Sequence, residues 1–392
     1  MEYKVTITAL DYHGRGIARI NNQVIFIDNV WIGDEVIVDI IDKKKNYLVG
    51  KIKKYYLKDA KCKYYHECGS CNLLHMDYSH QLDYKKNMLQ ELLKRNCDID
   101  ITVSVIKCDN PFNYRNKVVL HVKEGVIGYY QKRSNDLVAI EQCLLVSSGI
   151  NRLIKELKEL DLTKVTRIMI RELDNNLMLV IDGKLLLNNI ILDMCNSIII
   201  NNKVIKGKDY LMVNINDLLF KVSYKSFFQV NTLQMIKLYD CIKEYAGKGK
   251  KLIDLYCGIS TIGIYLHNNF ENILGIEIND SCIKDALINK NINQIDNISF
   301  INSDVSKINI KENADVVIID PPRSGLDNRS VALIERIYPS KIIYVSCNPI
   351  TFVRDIKLFT KYKLENISMC DMFCQTNHVE SVALLQRKNQ SK

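Results

Sequence analysis

The stretch "LIDLYCGISTIG", residues 252–263, reads as an apolar strand, a glycine-containing turn and the start of a helix. In a parallel sheet, such a turn and helix N-terminus receive a ligand at the strand's carboxyl end. The same rhythm repeats on either side. A helix, "TLQMIKLYDCIKEYA" (232–246), precedes it, and strand "NILGIE", helix "DSCIKDALINKNINQ" and strand "ISFINSD" follow. Strand "ADVVIID", a helix near 328–337, strand "KIIYVS" and a helix near 350–360 continue the series. Alternating β and α of this kind marks a doubly wound parallel sheet. The last two segments, "KLENISMCDMF" and "VESVALLQR", read as an antiparallel hairpin at the sheet's edge.

The strand ends carry the chemistry. Glu277 closes the strand after the glycine turn, at the distance expected of a carboxylate that binds ribose hydroxyls, and Asp304 follows the third strand. That series fits a nucleoside cofactor, either a dinucleotide or S-adenosylmethionine. The missing third glycine and the later Asp-Pro-Pro favour the methyl donor. Asp320 closes the fourth strand in "VVIIDPPRSG", and Cys347 follows the fifth in "YVSCNP". Glu380 opens the final strand, which should run antiparallel, so its start lies where the parallel strands end. All three side chains would then converge on one crevice. Methylating carbon 5 of a pyrimidine requires making that carbon nucleophilic. A thiolate adding to carbon 6 does so, and a carboxylate can afterwards remove the carbon-5 proton. A lone cysteine is more often a buried structural thiol. Cys347, flanked by Asn-Pro and set against Asp320, reads as the nucleophile, and Glu380 as the base.

Residues 1–56 are short alternating strands ("YKVTITAL", "QVIFID", "DEVIVDII", "YLVGKIKKYY") separated by turns, which points to an OB-like β-barrel of a kind often used to hold RNA. Arg15 and Lys43 to Lys45 would face a polyanion. Residues 57–220 read as an α+β unit with antiparallel sheet, one helix near 149–160 and a helical segment at 77–97. Residues 221–392 form the doubly wound domain. In "CKYYHECGSC", Cys62, Cys68 and Cys71 are closely spaced, and Cys143 could supply a fourth ligand. Such a set suits structural zinc or an iron–sulfur cluster, and His66 keeps zinc open. Unliganded thiols are the plainer alternative. The chain has 13 cysteines, an odd number, and no secretion signal, which argues against a disulfide framework. With 392 residues, 47% of them hydrophobic, it can form two or three domains. No stretch is long and apolar enough to span a membrane. The expectation is a cytoplasmic monomer. The net charge of +9 is compatible with nucleic acid but not diagnostic.

The motifs "SFFQVN", "DLYCG", "DPPRSG", "YVSCNP" and "HVES", in that order, resemble those of the RNA 5-methyluridine methyltransferases, and the likeness covers essentially the whole chain. The resemblance implies a C-terminal Rossmann-like methyltransferase domain that uses S-adenosylmethionine. It also implies an N-terminal TRAM domain and a central domain with a [4Fe-4S] cluster on Cys62, Cys68, Cys71 and Cys143. It makes Cys347 the nucleophile and Glu380 the base. Gln229, Tyr256, Thr261, Glu277, Asp304 and Asp320 would line the methyl-donor site, and Arg115 and Lys117 of "YRNKV" would touch RNA. Three places depart from the pattern. The turn reads Gly-Ile-Ser, with Ser260 where a second glycine is usual, and Cys374 and Gln375 replace Pro-His in the loop that presents Glu380. "SND" at 134–136 replaces Ser-His.

Within the family, tRNA-directed members generally lack both the TRAM unit and the cluster, so the resemblance implies 23S rRNA as the substrate. Two rival readings are a tRNA 5-methyluridine methyltransferase and an RNA-binding ribosome-assembly factor without catalysis. The joint presence of Asp320, Cys347 and Glu380 argues against the latter.

Overall fold

The structure is a computed structural model that describes residues 2–55, 61–65, 67–131 and 134–389. The chain opens with strands β1 (Glu2–Thr6), β2 (Ala9–Leu10), β3 (Gly16–Ile20), β4 (Gln23–Ile27), β5 (Glu35–Lys43) and β6 (Tyr47–Tyr55). Their order is β1-β5-β6-β4-β3-β2. β1 and β2 are two halves of one bent strand. The first half pairs with β5 and the second with β3, so the sheet closes on itself and leaves no open edge. Alternate residues point inward to give a core of Val5, Ile7, Ile25, Ile27, Val36 and Val38.

Helix α1 (Tyr78–Cys97) and the short strand β7 (Ser104–Ile106) follow. A seven-stranded sheet comes next: β8 (Lys117–Lys123), β9 (Val126–Tyr130), β10 (Leu137–Ala139), β11 (Val165–Leu173), β12 (Asn176–Gly183), β13 (Ser197–Ile200) and β14 (Lys203–Lys206). Helix α2 (Ser148–Leu157) starts where the Ser147 hydroxyl accepts the Ile150 amide. It buries Ile150, Leu153, Ile154 and Leu157, an i, i+3, i+4, i+7 stripe, against one face of this sheet. The sequence shows only this one helix here. A second, α3 (Asn189–Met194), makes the crossover that the parallel pairing of β12 with β13 requires. At six residues it is too short to leave a helical period in the sequence.

The hairpin β15 (Tyr210–Ile215) and β16 (Leu218–Ser223) leads into the alternating half. In chain order that half comprises α4 (Thr232–Ala246), β17 (Gly249–Leu255), α5 (Thr261–Tyr265), β18 (Phe270–Glu277), α6 (Asp280–Ile292) and β19 (Ile298–Asn302). It continues with β20 (Val316–Ile319), α7 (Asn328–Ile337), β21 (Lys341–Ser346), α8 (Pro349–Ile356), β22 (Tyr362–Cys370) and β23 (Glu380–Arg387). The sheet order is β19-β18-β17-β20-β21-β23-β22-β7. Both faces are covered, as a parallel sheet demands. Ile318, Ile343 and Val345 pack into one layer, while Val317, Ile319, Ile342 and Tyr344 pack into the other. The order reverses between β17 and β20, which opens a crevice at their carboxyl ends.

The closing hairpin is not the sheet's edge, contrary to the sequence expectation. β7 pairs beyond β22, with Ser104 opposite Ser368. Leu89 and Leu93 of α1 pack in the same layer as Phe352 and Ile356. The span 57–220 therefore contributes its first helix and strand to the carboxyl-terminal sheet. A three-residue strand carries too little alternation to announce this in the sequence. Among the described residues, no helix is long and apolar enough to cross a membrane.

Candidate active site

At the carboxyl ends of β17, β18, β20 and β21 lies a cleft of about 820 Å³. Gln229, Tyr256, Glu277, Asp304, Asp320, Cys347 and Glu380 all line it. Thr261 is not among the lining residues. It is the first residue of α5, and its hydroxyl lies 2.7 Å from that of Tyr239.

The turn after β17 is tightly wound, with φ of 63° at Tyr256, 55° at Gly258 and 61° at Ser260. A left-handed non-glycine residue costs on the order of 1–2 kcal/mol, so Ser260 carries the strain that the departure from glycine implies. Glu277 holds this turn from the neighbouring strand. Its Oε2 accepts the Gly258 amide at 3.1 Å and its Oε1 accepts the Asn279 amide at 2.8 Å. Below the turn, Asp254 is fully buried. Burial, followed by the nearby Asp320, pushes its carboxyl up to about 8. Across the cleft, Asp304 is fastened by the Ser306 amide and hydroxyl, which lower its proton affinity.

The two proline-marked strand ends are built alike. After Asp320, Pro321 and Pro322 lack the amides needed to extend β20, and the chain leaves the sheet. After β21, the Ser346 hydroxyl accepts the Asn348 amide at 3.2 Å, and Asn348 caps α8 by accepting the Ile350 amide at 3.1 Å. Pro349 occupies the first helical turn, where a missing amide costs nothing. Cys347 is thus held between a strand end and a helix cap. Burial first, then Glu380 and Asp320, push its thiol up to about 11, against the opposing charge of Arg323. The Glu380 carboxyl is likewise pushed well above its ordinary range by burial and then by Asp320. Three acidic groups therefore share one recess and compete for its protons.

The loop that presents Glu380 is clamped by α1. Lys85 Nζ reaches Asp371 Oδ1 at 2.6 Å and the Phe373 carbonyl at 3.1 Å. Gln81 donates to the Gln375 side chain at 2.8 Å and accepts the Gln375 amide at 3.0 Å. Tyr114 donates to the Cys374 carbonyl at 3.0 Å. Cys374 and Gln375, the departures from the usual pattern, are thereby fixed in place.

Sequence reasoning did not single out Phe227, Arg323, Phe373 or Asp254. The first three line the cleft. Phe227 is 67% exposed there, unusual for a phenylalanine, and Arg323 follows directly on the two prolines.

Cys62, Cys68, Cys71 and Cys143 line one cavity together, with Tyr64 and Tyr129 among its walls. Burial, then Cys143 and Cys68, raise the Cys71 thiol far above its ordinary value, and Arg115 opposes them. Arg115 was expected at the RNA surface. Its side chain is partly buried, its charge acts on this thiol set, and its Nε is buried without a hydrogen-bond partner. Among the described residues, no three His, Cys, Asp or Glu side chains are placed to hold a metal ion. His66 lies outside the described residues. Four thiols around one cavity, with Arg115 beside them, offer sulfur donors of the kind that structural zinc and iron–sulfur clusters both use.

The chain thus joins an N-terminal barrel to an α/β sheet with a crevice at its strand ends. A family model described as tRNA (Uracil-5-)-methyltransferase matches residues 171–388, and the TRAM domain model matches residues 1–53. The chain is 34% identical to an uncharacterized RNA methyltransferase of Clostridium tetani, covering 98% of this chain and 96% of that one. A relative of the same description from Caldanaerobacter subterraneus is also 34% identical, covering 98% of both chains. Among solved structures, it is similar to the Pyrococcus abyssi tRNA (uracil-54, C5)-methyltransferase in complex with S-adenosyl-L-homocysteine. That likeness has a TM-score of 0.81 and 28% identity, and covers 98% of this chain and 100% of that one. The chain belongs to the RNA uracil-5-methyltransferase family.

Proposed function

We propose that the chain transfers a methyl group from S-adenosylmethionine to carbon 5 of a uridine in RNA. The observation that carries this reading is the convergence of Cys347, Glu380 and Asp320 in the cleft beside Glu277. When bound, the cofactor supplies an activated methyl group on a sulfonium. Glu277 is suited to hold its ribose, and Gln229, Tyr256 and Asp304 line the same space, while Thr261 acts from behind through Tyr239. Cys347 passes its proton to water in the cleft, and the Sγ thiolate adds to uracil carbon 6. Glu380 and Asp320 raise the thiol's proton affinity, so deprotonation requires a cation or a proton acceptor in the recess. Arg323 supplies the first in part. Carbon 5 would then carry the negative charge and take the methyl group, the sulfonium's S–CH3 bond breaking to leave the neutral thioether S-adenosylhomocysteine. Glu380, whose own proton affinity is raised, removes the carbon-5 proton, and the thiolate leaves to restore the double bond.

The RNA proposed from the sequence is 23S rRNA. Two observations favour tRNA instead: a structural neighbour that matches over the full length is named for a tRNA uridine, and the matching family model is described by tRNA. Incubating the protein with labelled methyl donor and either unmodified 23S rRNA or tRNA, then mapping the product by mass spectrometry, decides between them. Product in 23S rRNA is the expected result, and product confined to tRNA replaces it. A protein that binds both RNAs and methylates neither would be a binding factor.

The four-cysteine cavity is assigned to a [4Fe-4S] cluster, with zinc as the second choice. Protein purified without oxygen should be brown, contain iron and inorganic sulfide, and lose both when Cys71 is replaced by serine. Colourless protein holding stoichiometric zinc would overturn the cluster.

A further inference from the structure

We propose that Cys108 and Cys374 form an oxidation site, in which a small peroxide converts the pair to a disulfide between the end of β7 and the loop that presents Glu380. Cys108 follows β7 in the chain, and Cys374 lies between β22 and β23. Two side chains bracket the thiols. Tyr78, the first residue of α1, accepts the Cys108 amide at 2.8 Å, and the same hydroxyl lies 3.9 Å from Cys374 Sγ. Asn231 Nδ2 donates to Cys108 Sγ at 3.6 Å and to the Met372 carbonyl, close to Cys374 in the same loop, at 3.3 Å. Between these anchors the Cys374 thiol donates to the Cys108 sulfur.

The two sulfurs differ in access and in charge. Cys108 lines a cleft of about 490 Å³ with Pro111, Leu233, Lys237 and Asn231, the N-cap of α4. Cys374 is fully buried behind it. The Cys374 hydrogen bond, and then the Asn231 amide, draw the Cys108 thiol down to about 6, against burial and the charge of Asp371. The N-terminus of a helix favours a thiolate further. Burial pushes Cys241, Cys257, Cys282 and Cys370 the other way. Cys374 is pushed up as well, first by its bond to Cys108 and then by burial. A reachable thiolate backed by a buried thiol is the arrangement of a redox-responsive pair.

The Cys108 thiolate attacks one oxygen of hydrogen peroxide. The O–O bond breaks, the sulfur keeps that oxygen as a sulfenic acid, and the other oxygen leaves as hydroxide, which takes a proton from solvent to become water. Cys374 Sγ then attacks the Cys108 sulfur. The S–S bond forms as the S–O bond breaks, and the hydroxyl leaves with the Cys374 proton as a second water. The two sulfurs together give up two electrons to the peroxide, and a thiol reductant reverses the change. The Cys374 carbonyl is held by Tyr114 and the Gln375 amide by Gln81, so the pair is aligned with the loop folded. Closing the bond takes Cys374 Sγ from the Asp371 carbonyl, 3.5 Å away. Asp371 is also the partner of Lys85, so the oxidation reaches the clamp on this loop.

The test titrates the full-length protein with hydrogen peroxide until thiols begin to be lost. Remaining thiols are then alkylated, and the protein is digested with trypsin without reductant. The expected product is a peptide pair joined through Cys108 and Cys374, two hydrogens lighter than its separate halves and lost on treatment with dithiothreitol. Fragment ions assign the link, because Cys370 shares a tryptic peptide with Cys374. Cys374→Ser should leave Cys108 as a sulfenic acid that a 1,3-dione traps. Cys108→Ser should give neither product and leave Cys374 open to alkylation after denaturation. Thermal melts that match the reduced wild type show that both variants are folded, and the wild-type digest is decisive without them. Free Cys108 and Cys374 in a wild-type sample whose other cysteines have been oxidised would overturn the proposal, as would a link from either one to Cys370. No step of the test requires methyl transfer, so its result stands apart from the proposed activity.

Discussion

Replacing Cys347 by alanine is expected to lower methyl transfer by at least about 10⁴-fold, with cofactor binding retained. Without the thiol nothing adds to carbon 6, and carbon 5 of uracil stays too weakly nucleophilic to take a methyl group. RNA carrying 5-fluorouridine at the target should become covalently linked to the wild-type protein after methyl transfer, because fluorine at carbon 5 cannot be removed as a proton. Cys347→Ala should form no such adduct. Glu380→Gln should differ in kind. Its turnover falls by about 10²–10⁴-fold, but addition and methyl transfer still occur, so an adduct accumulates on ordinary RNA and is visible as a shifted band on a denaturing gel. A Cys347→Ala protein that still methylates would sink the covalent route. A slow Glu380→Gln protein without adduct would move the base to Asp320.

The second large effect concerns stability. Lys85 and Asp371 are both fully buried, with Nζ and Oδ1 2.6 Å apart. Lys85→Met removes one partner and leaves a carboxylate in an apolar interior, at a cost of about 3–5 kcal/mol. The same change frees the Phe373 carbonyl and loosens the loop that presents Glu380, so kcat should fall along with the melting temperature. The double variant Lys85→Met, Asp371→Leu should recover most of the lost stability, because an apolar pair of similar volume avoids the desolvation of both charges. Equal stability of Lys85→Met and the wild type in denaturant melts would show that the pair contributes nothing.

The parts of the molecule legible in the sequence are those written locally. The β/α alternation, the glycine turn at 256–260 and the strand ends at Asp320 and Cys347 each occupy a single short window. Glu380 was legible because the antiparallel sense of the last strand fixes which end of the sheet it starts from. Other features depend on distant partners. Nothing in "YRNKV" distinguishes an arginine facing RNA from one facing thiols, and only the fold turns Arg115 toward Cys71. Thr261 sits in the motif yet hydrogen-bonds to Tyr239, because the helix that begins there aims its side chain away from the cleft. The clamp of α1 on the Glu380 loop joins residues with no shared local pattern. A lysine on a helix reads as a solvated face until its partner is seen.

That clamp also sets when the protein can become an enzyme during its synthesis. Lys85 and Asp371 are separated by 286 positions. A ribosome adding about 5–20 residues per second leaves roughly a quarter of a minute to one minute between the two. Throughout that wait the apolar stripe of α1 and the lysine within it have no sheet to rest on, because β22 and β23, which complete that sheet, are the last strands made. The barrel, with all its strands in the first 55 residues, can close at once. The catalytic half is therefore assembled last and as a unit, and a nascent chain halted anywhere before β23 exposes α1 to chaperones and proteases while lacking Glu380 altogether.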